Sequence, residues 1–374
     1  MTKKIGIRVD ASLLMGSGHL MRCLTLADAL TSQGAQCHFI SRAHPGHLLE
    51  LIRQRDFAVT VLPVELPTPP AKTPLAGDRP KEPIHAPWLG SDWQTDAEQT
   101  RAILVKLQPD WLVVDHYALD QRWETALRPH YQKLMVIDDL ADRPHQCEML
   151  LDQNLGRQPQ DYANLVPAQC NVLIGPQYAL LRPEFAALRS YSLQRRQQPV
   201  LKQVLITMGG VDQRNATGQV LQALKRCDLS QECRITVVMG LQAPWLEQVR
   251  AQARDMQWPT EVLVNINDMA QLMADSDLAI GAAGSTSWER CCLGLPTLMV
   301  VLAENQRAIA DALHRAGATK ILDSASVVLT VHEFFTSLIS NTRALTDMSI
   351  TAASVVDGLG TARLASHFSV SEHL

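Results

Sequence analysis

Gly16, Ser17, Gly18 and His19 stand between an apolar run at 5–9 and an apolar-periodic run at 20–30, the order of strand, glycine turn and helix. Two glycines let the backbone turn tightly, and the first N–H groups of the helix face a gap where an anion can sit. His19 adds an imidazole, a group that titrates at about pH 6.5 when free and suits proton transfer near neutrality. A histidine at a helix start is equally compatible with a structural cap, so the motif alone leaves both roles open. Asp10 and Arg22 flank His19, and either can orient the ring or hold an anion; for Arg22 a surface charge is an alternative.

A second constellation, Gly281-Ala282-Ala283-Gly284-Ser285-Thr286-Ser287-Trp288-Glu289, follows the apolar run 278–280 and opens a helix that ends near Gly294-Leu295-Pro296. Small residues admit close approach, while the Ser285 and Thr286 hydroxyls and the helix N–H groups donate to phosphate oxygens. Glu289 falls one turn into that helix, where a carboxylate repels phosphate but accepts hydrogen bonds from two neighbouring ribose hydroxyls. The alternative is an ordinary capped helix, with Ser285 or Thr286 as cap and Glu289 complementing the dipole. Gly209 and Gly210 mark another strand-to-helix turn that offers a second glycine surface to a phosphate. The backbone of Ile266 can offer an N–H and C=O pair to a pyrimidine edge, with Asp268 behind it as a helix cap. Asn305 and Gln306 carry neutral amides suited to sugar hydroxyl, acetamido or diphosphate groups, or to capping a helix.

Alternating apolar strands and helical patterns must position these residues. In the first half strands are expected at 5–9, 37–40, 58–62, 111–114 and 134–137, and in the second at 204–207, 235–239, 261–264, 278–280 and 297–300. Such alternation predicts α/β domains with parallel sheets, whose ligands bind beyond the carboxyl ends of the strands. The loops at Gly16 to His19, Asp115-His116-Tyr117 and Asp138-Asp139 all follow strands and are expected to converge on one crevice. A polar stretch between 183 and 201 is the expected linker, giving domains at 1–190 and 200–374 that face each other across a single cleft. Between 65 and 87 proline density forbids helix and sheet ladders, which predicts a mobile surface loop with a lid or tether as its alternative role. Asp92 is placed to cap the helix that follows it.

With 374 residues, 46% of them hydrophobic, the chain can fill two ordinary cores. A net charge of −4 provides no basic field for nucleic acid or an anionic membrane. No apolar run reaches membrane-spanning length and no signal-peptide core opens the chain, so a cytoplasmic location is expected. Eight scattered cysteines without paired spacing argue against a zinc site or a disulfide framework, and burial as small hydrophobes is their expected role.

Taken together, Arg8-Val9-Asp10-Ala11-Ser12, Gly16 through Cys23, Asp115 through Asp120, Ile137 through Arg143, Asp152-Gln153-Asn154, Gly281 through Glu289 and Asn305-Gln306 resemble the UDP-2,4-diacetamido-2,4,6-trideoxy-β-L-altropyranose hydrolases of pseudaminic acid biosynthesis. The resemblance covers nearly the whole chain, and the proline-rich segment 65–87 departs from it. That family is similar to the GT-B glycosyltransferases, notably the enzyme that adds N-acetylglucosamine to lipid I from a UDP-sugar. The resemblance implies two Rossmann-like domains in a GT-B arrangement, with the active site in the interdomain cleft and UDP on the C-terminal domain. It further implies that Ile266 contacts uracil, Glu289 the ribose, and Gly284 with Ser285 the diphosphate. His19 would be the general base that activates water, with Asn305 in support. Gly16, Ser17, Gly18, Arg22, Gly210, Thr286 and Gln306 complete the expected substrate-binding set. The implied reaction releases the free 2,4-diacetamido-2,4,6-trideoxy-L-altrose and UDP. No metal cluster of acidic residues is evident in the sequence, so no metal or cofactor is expected, and the protein is expected to be a monomer or weak oligomer. A UDP-sugar-dependent glycosyltransferase and a non-catalytic nucleotide-sugar sensor are the alternatives.

Overall fold

The computed structural model describes residues 2–64, 82–241, 243–264, 266–322, 327–340 and 343–369. Its described strands make two parallel sheets. The first contains β1 (Lys4–Val9), β2 (Gln36–Arg42), β3 (Ala58–Leu62), β4 (Trp111–Asp115), β5 (Lys133–Ile137), β6 (Met149–Asp152) and β7 (Asn171–Ile174) in the order β3-β2-β1-β4-β5-β6-β7. The second contains β8 (Gln203–Thr207), β9 (Arg234–Met239), β10 (Thr260–Val264), β11 (Leu278–Ala282), β12 (Thr297–Val300) and β13 (Lys320–Leu322) in the order β10-β9-β8-β11-β12-β13. In both sheets the order reverses beside the first strand. This leaves a crevice between β1 and β4 in one unit and between β8 and β11 in the other.

Helices cover both faces of the first sheet, so its strands are apolar on both sides. Along β4 the side chains alternate: Trp111 and Val113 pack with Ile5, Ile7, Leu20 and Leu24, while Leu112 and Val114 pack with Leu104, Trp123 and Leu134. Helix α1 (Gly18–Ser32) supplies Leu20, Cys23, Leu24, Leu26, Ala27 and Leu30 to the core. Burial also accounts for Cys37, Cys147, Cys227, Cys233, Cys291 and Cys292.

The division of the chain differs from the expected one. One unit comprises Met1–Leu180 with Thr361–Leu374, and the other Leu181–Gly360. The expected linker is largely the helix Pro183–Arg195, with proline in its first turn and Arg195 in its last. Its composition is polar because long polar side chains anchor it: Arg189 donates to the Ala353 and Val356 carbonyls at 2.7 and 2.9 Å, and Ser192 to the Leu293 carbonyl at 2.7 Å. The C-terminal helix Gly360–Ser369, expected in the second domain, belongs to the first unit. There Leu364, Ala365 and Phe368 join its core and the Phe368 ring lies 4.8 Å from that of Trp111.

Within the proline-rich segment, residues 65–81 lie outside the described residues. The remainder, 82–87, is not a loose loop. It leads into a 3-10 turn, Ala86–Leu89, whose Leu89 is buried in the core against Ile40, Leu62 and Ala97. Asp92 then caps the helix Trp93–Leu107 by accepting from the Thr95 N–H at 2.8 Å. No described helix is long and apolar enough to cross a membrane.

Candidate functional site

The register places Val9 beside Asp115, so the turn after β1 and the last residue of β4 open on the same crevice. Gly16 turns the chain with φ +76°, a conformation that costs side-chain-bearing residues energy, and its N–H donates to the Ser12 carbonyl at 2.8 Å. The Ser12 hydroxyl accepts from the Met15 N–H at 3.0 Å and fixes the rest of the turn. Ser17 occupies the N-cap position of α1 with no side-chain cap bond, and Gly18 and His19 are the first helical residues.

His19 is 8% exposed, and its Nδ1 lies 2.6 Å from Asp115 Oδ1. Burial alone would raise the Asp115 carboxyl, but Arg22 and His19 outweigh it and hold the group far below the usual carboxylate range. An ionised Asp115 is an acceptor only, so Nδ1 carries a proton, and in the neutral ring the lone pair is on Nε2. Nε2 has no hydrogen-bond partner among the described residues. The Tyr117 ring meets His19 edge to face at 4.5 Å and limits how the imidazole can turn.

Arg22 departs from expectation. It is buried, not a surface charge, and its guanidinium is engaged by carboxylates of the protein: Nε and Nη2 donate to Asp115 at 2.6 and 2.7 Å, and Nη1 to Asp139 at 2.5 Å. It therefore braces Asp115 instead of holding a ligand anion. Asp10 does not orient His19 either, since its carboxylate is bonded to Arg8 at 2.6 and 2.9 Å and to the Arg42 N–H at 2.7 Å. The ring is oriented by Asp115, to which the sequence motifs assigned no role. Its signal was present as a carboxylate closing the apolar run Trp111–Asp115. The third loop arrives as expected, because Asp139 accepts from the Tyr117 hydroxyl at 2.9 Å and from Arg22. Asp138 and Asp152 are engaged locally by Arg143 at 2.9 Å and Arg157 at 2.8 Å, and the Tyr162 hydroxyl reaches both.

The second unit gathers its glycine turns at the β8/β11 crevice. Gly281 is required by close approach: a Cβ there would meet Arg290 Nη1 at 2.7 Å and the Thr207 carbonyl at 2.9 Å. Gly209, Gly210 and Gly284 face open space. After Gly210, the helix Ala216–Leu224 has its first N–H groups satisfied by protein, with Asp212 accepting from Ala216 and Thr217 at 2.9 Å each and Asn215 from Gly218 at 3.0 Å. The exposed loop glycines Gly209 and Gly210 remain open to a ligand. At the other turn Gly284, Ser285 and Thr286 are half-buried. Ser285 makes no cap bond, and the Thr286 hydroxyl accepts from Arg290 at 3.2 Å.

Glu289 lies in the helix Thr286–Cys292, half-buried and without a hydrogen-bond or ion-pair partner among the described residues. Burial pushes its carboxyl up to about 7, against the opposing pull of Arg182 and Arg290. Neighbouring Arg290 is fully buried and donates to the Ala282 carbonyl at 2.7 Å and the Ser287 hydroxyl at 3.1 Å, which fixes the loop. Ile266 follows the end of β10 and is half-buried, and Asp268 caps the next helix at 3.2 Å from the Gln271 N–H. Asn305 is exposed on the 3-10 turn Glu304–Gln306. Gln306 is partly committed, its Oε1 accepting from the Leu302 N–H at 3.0 Å, so that end of its amide holds the protein's own loop.

A cavity of about 620 Å³ lined by Lys4, Gln36, Phe57 and Lys106 opens at the amino ends of β1 to β3, the opposite end of the strands from His19.

Residues 203–359 match the glycosyltransferase family 28 C-terminal domain. Over 312 residues, 82% of this chain, the sequence is 23% identical to an uncharacterized protein of Methanocaldococcus jannaschii, of which the match spans 57%. It is 27% identical over 207 residues to the UDP-2,4-diacetamido-2,4,6-trideoxy-β-L-altropyranose hydrolase of Campylobacter jejuni, covering 55% of this chain and 71% of that one. It is 31% identical over 171 residues to the spore coat polysaccharide biosynthesis protein SpsG of Bacillus subtilis, covering 45% of this chain and 49% of that protein. Among solved structures, MurG of Acinetobacter baumannii aligns with a TM-score of 0.71 at 19% identity over 98% of this chain and 99% of its own. LpCGTa in complex with UDP aligns at 0.63 with 15% identity over 99% of this chain and 100% of its own. The fold is that of the GT-B proteins.

Proposed function

We propose that the protein hydrolyses UDP-2,4-diacetamido-2,4,6-trideoxy-β-L-altropyranose to the free sugar and UDP. The observation that carries this reading is the His19–Asp115 pair, a buried imidazole whose Nδ1 lies 2.6 Å from a carboxylate oxygen, which leaves Nε2 as the basic nitrogen of the neutral ring. Such a group is a general base, and positioned proton transfer of this kind contributes about 10²–10⁴-fold. A water oxygen attacks the anomeric carbon while its proton passes to Nε2, and the bond from that carbon to the diphosphate oxygen breaks with its electron pair leaving on UDP. Asp115 stabilises the imidazolium formed, and Arg22 keeps Asp115 in place.

The second unit is assigned the nucleotide. The unpartnered Glu289 carboxylate accepts from the ribose hydroxyls, the Ile266 backbone reads uracil, and Gly210, Gly284, Ser285 and Thr286 receive the diphosphate, where N–H donors stabilise the departing charge. Asn305 and the free end of the Gln306 amide serve the sugar or diphosphate, with Gly16, Ser17 and Gly18 as the turn that presents His19. The likeness to the Campylobacter hydrolase supports a UDP-sugar as the substrate.

A transferase is the second reading, favoured by the family 28 match at 203–359. In it His19 takes its proton from an acceptor hydroxyl in place of water. Incubation of purified protein with the UDP-sugar and no acceptor separates the two. Release of UDP and free sugar in equal amounts supports the hydrolase, whereas release of UDP only after an acceptor alcohol is added contradicts it.

A further inference from the structure

The end of the proline-rich segment, which departs from the family resemblance, folds onto the His19 crevice and brings two more rings there. His85 lies 4.4 Å from Trp88 and 5.4 Å from Tyr117, ring centre to ring centre. Trp88 stacks on Tyr117 at 5.8 Å with an interplanar angle of 27°. Tyr117 is 6% exposed and is the floor, while His85 and Trp88 are half-buried and present surface outward. Neither the Trp88 indole N–H nor the His85 ring nitrogens have a partner among the described residues, and burial lowers the His85 pKa below the ordinary imidazole value. The platform is anchored behind, with Leu89 in the core and Gly90, at φ +69°, at a place where an added Cβ would meet the His44 ring at 2.6 Å.

Buried polar atoms without partners lie around the same floor. Arg143 sits over the Tyr117 ring at 5.8 Å, only 4% exposed, and its Nη2 has no hydrogen bond. Asp139 Oδ1 and Asn154 Oδ1 are also buried and unpaired, although Asn154 Nδ2 donates to the Asp139 carbonyl at 3.1 Å. Arg143 and Asp139 both touch Tyr117, so a cationic donor and a carboxylate acceptor border the aromatic platform. A pyranose ring has an apolar C–H face that fits the electron-rich face of an aromatic ring, and a rim of hydroxyl or acetamido groups that donate and accept.

We infer that His85 and Trp88 form the sugar subsite, a stacking platform on Tyr117 that takes the apolar face of the acetamido sugar beside His19. This rests on the proposed UDP-sugar substrate, but its test is a binding measurement and does not need turnover. In the full-length protein, Trp88→Ala and Trp88→Phe are compared with wild type for affinity toward UDP and toward the UDP-diacetamido sugar, the latter in a His19→Gln background so that nothing is hydrolysed. Trp88→Ala is expected to weaken the nucleotide sugar by about ten-fold and leave UDP unchanged, with Trp88→Phe restoring most of the loss. A free diacetamido sugar should alter indole emission in wild type and not in Trp88→Phe. Equal affinity of wild type and Trp88→Ala for the nucleotide sugar, or a parallel loss for UDP, would overturn the subsite. If wild type proves unable to hydrolyse the substrate while Trp88→Ala still loses the sugar increment, the subsite stands and the hydrolase reading falls.

Discussion

Asp115 Oδ1 and His19 Nδ1 are 2.6 Å apart although 96 residues separate them, because β1 and β4 are neighbours and Val9 stands beside Asp115. The carboxylate fixes which imidazole nitrogen carries the proton. Substituting Asp115→Asn keeps the shape and removes the charge that fixes the tautomer and stabilises the imidazolium. Hydrolysis is expected to fall by about 10²–10⁴-fold. A thermal melt taken alongside separates this from unfolding, and an unchanged kcat in a folded variant would remove Asp115 from the mechanism.

His19→Ala removes the base and leaves the nucleotide contacts alone. Turnover should drop by at least about 10²-fold while calorimetric affinity for UDP stays within error of wild type. Near-normal turnover would transfer the base role to another group.

Glu289, with its carboxyl at about 7, makes ribose binding pH-dependent. Its ionised form is the better acceptor, and that form is scarce below the pKa and dominant above it. Affinity for uridine, which has no phosphate to titrate, should therefore rise from pH 6 to pH 8, by up to about ten-fold. Glu289→Gln should bind with little pH dependence, and Glu289→Ala should weaken UDP by about 1–3 kcal/mol. A flat profile for wild-type uridine binding would contradict the assignment.

Gly16 and Gly281 are glycines for different reasons, and alanine should cost differently at each. At Gly16 the penalty is the positive φ alone, about 1 kcal/mol, since nothing lies within 4 Å of the added carbon. At Gly281 the added carbon meets the Thr207 backbone at 2.9 Å and Arg290 at 2.7 Å, so the loss should be larger. Urea denaturation midpoints rank the two, and the reverse order would show the β8/β11 contact to be looser than these distances.

The strands with strong apolar runs were legible in the sequence, and so was the meeting of three loops at the β1 turn. Three short strands were not: Met149–Asp152, Asn171–Ile174 and Lys320–Leu322 are too brief to show a period, and loops and 3-10 turns join the first two in place of a helix. The unit boundary was misplaced because the helix Pro183–Arg195 is held by arginine and serine bonds to carbonyls, a pattern that reads as polar linker. Arg22 could not be separated from an anion ligand without knowing that Asp115 and Asp139 converge on it. His85 and Trp88 were hidden by their proline-rich neighbours, although their docking follows from Leu89 entering the core.

Hydrolysis in heavy-oxygen water, followed by mass spectrometry of both products, tests the central claim that His19 activates water at the anomeric carbon. One labelled oxygen in the released sugar, none in UDP, and at least about 10²-fold less labelled product from His19→Ala is the predicted result. Label in UDP would mean attack at phosphorus and would contradict it.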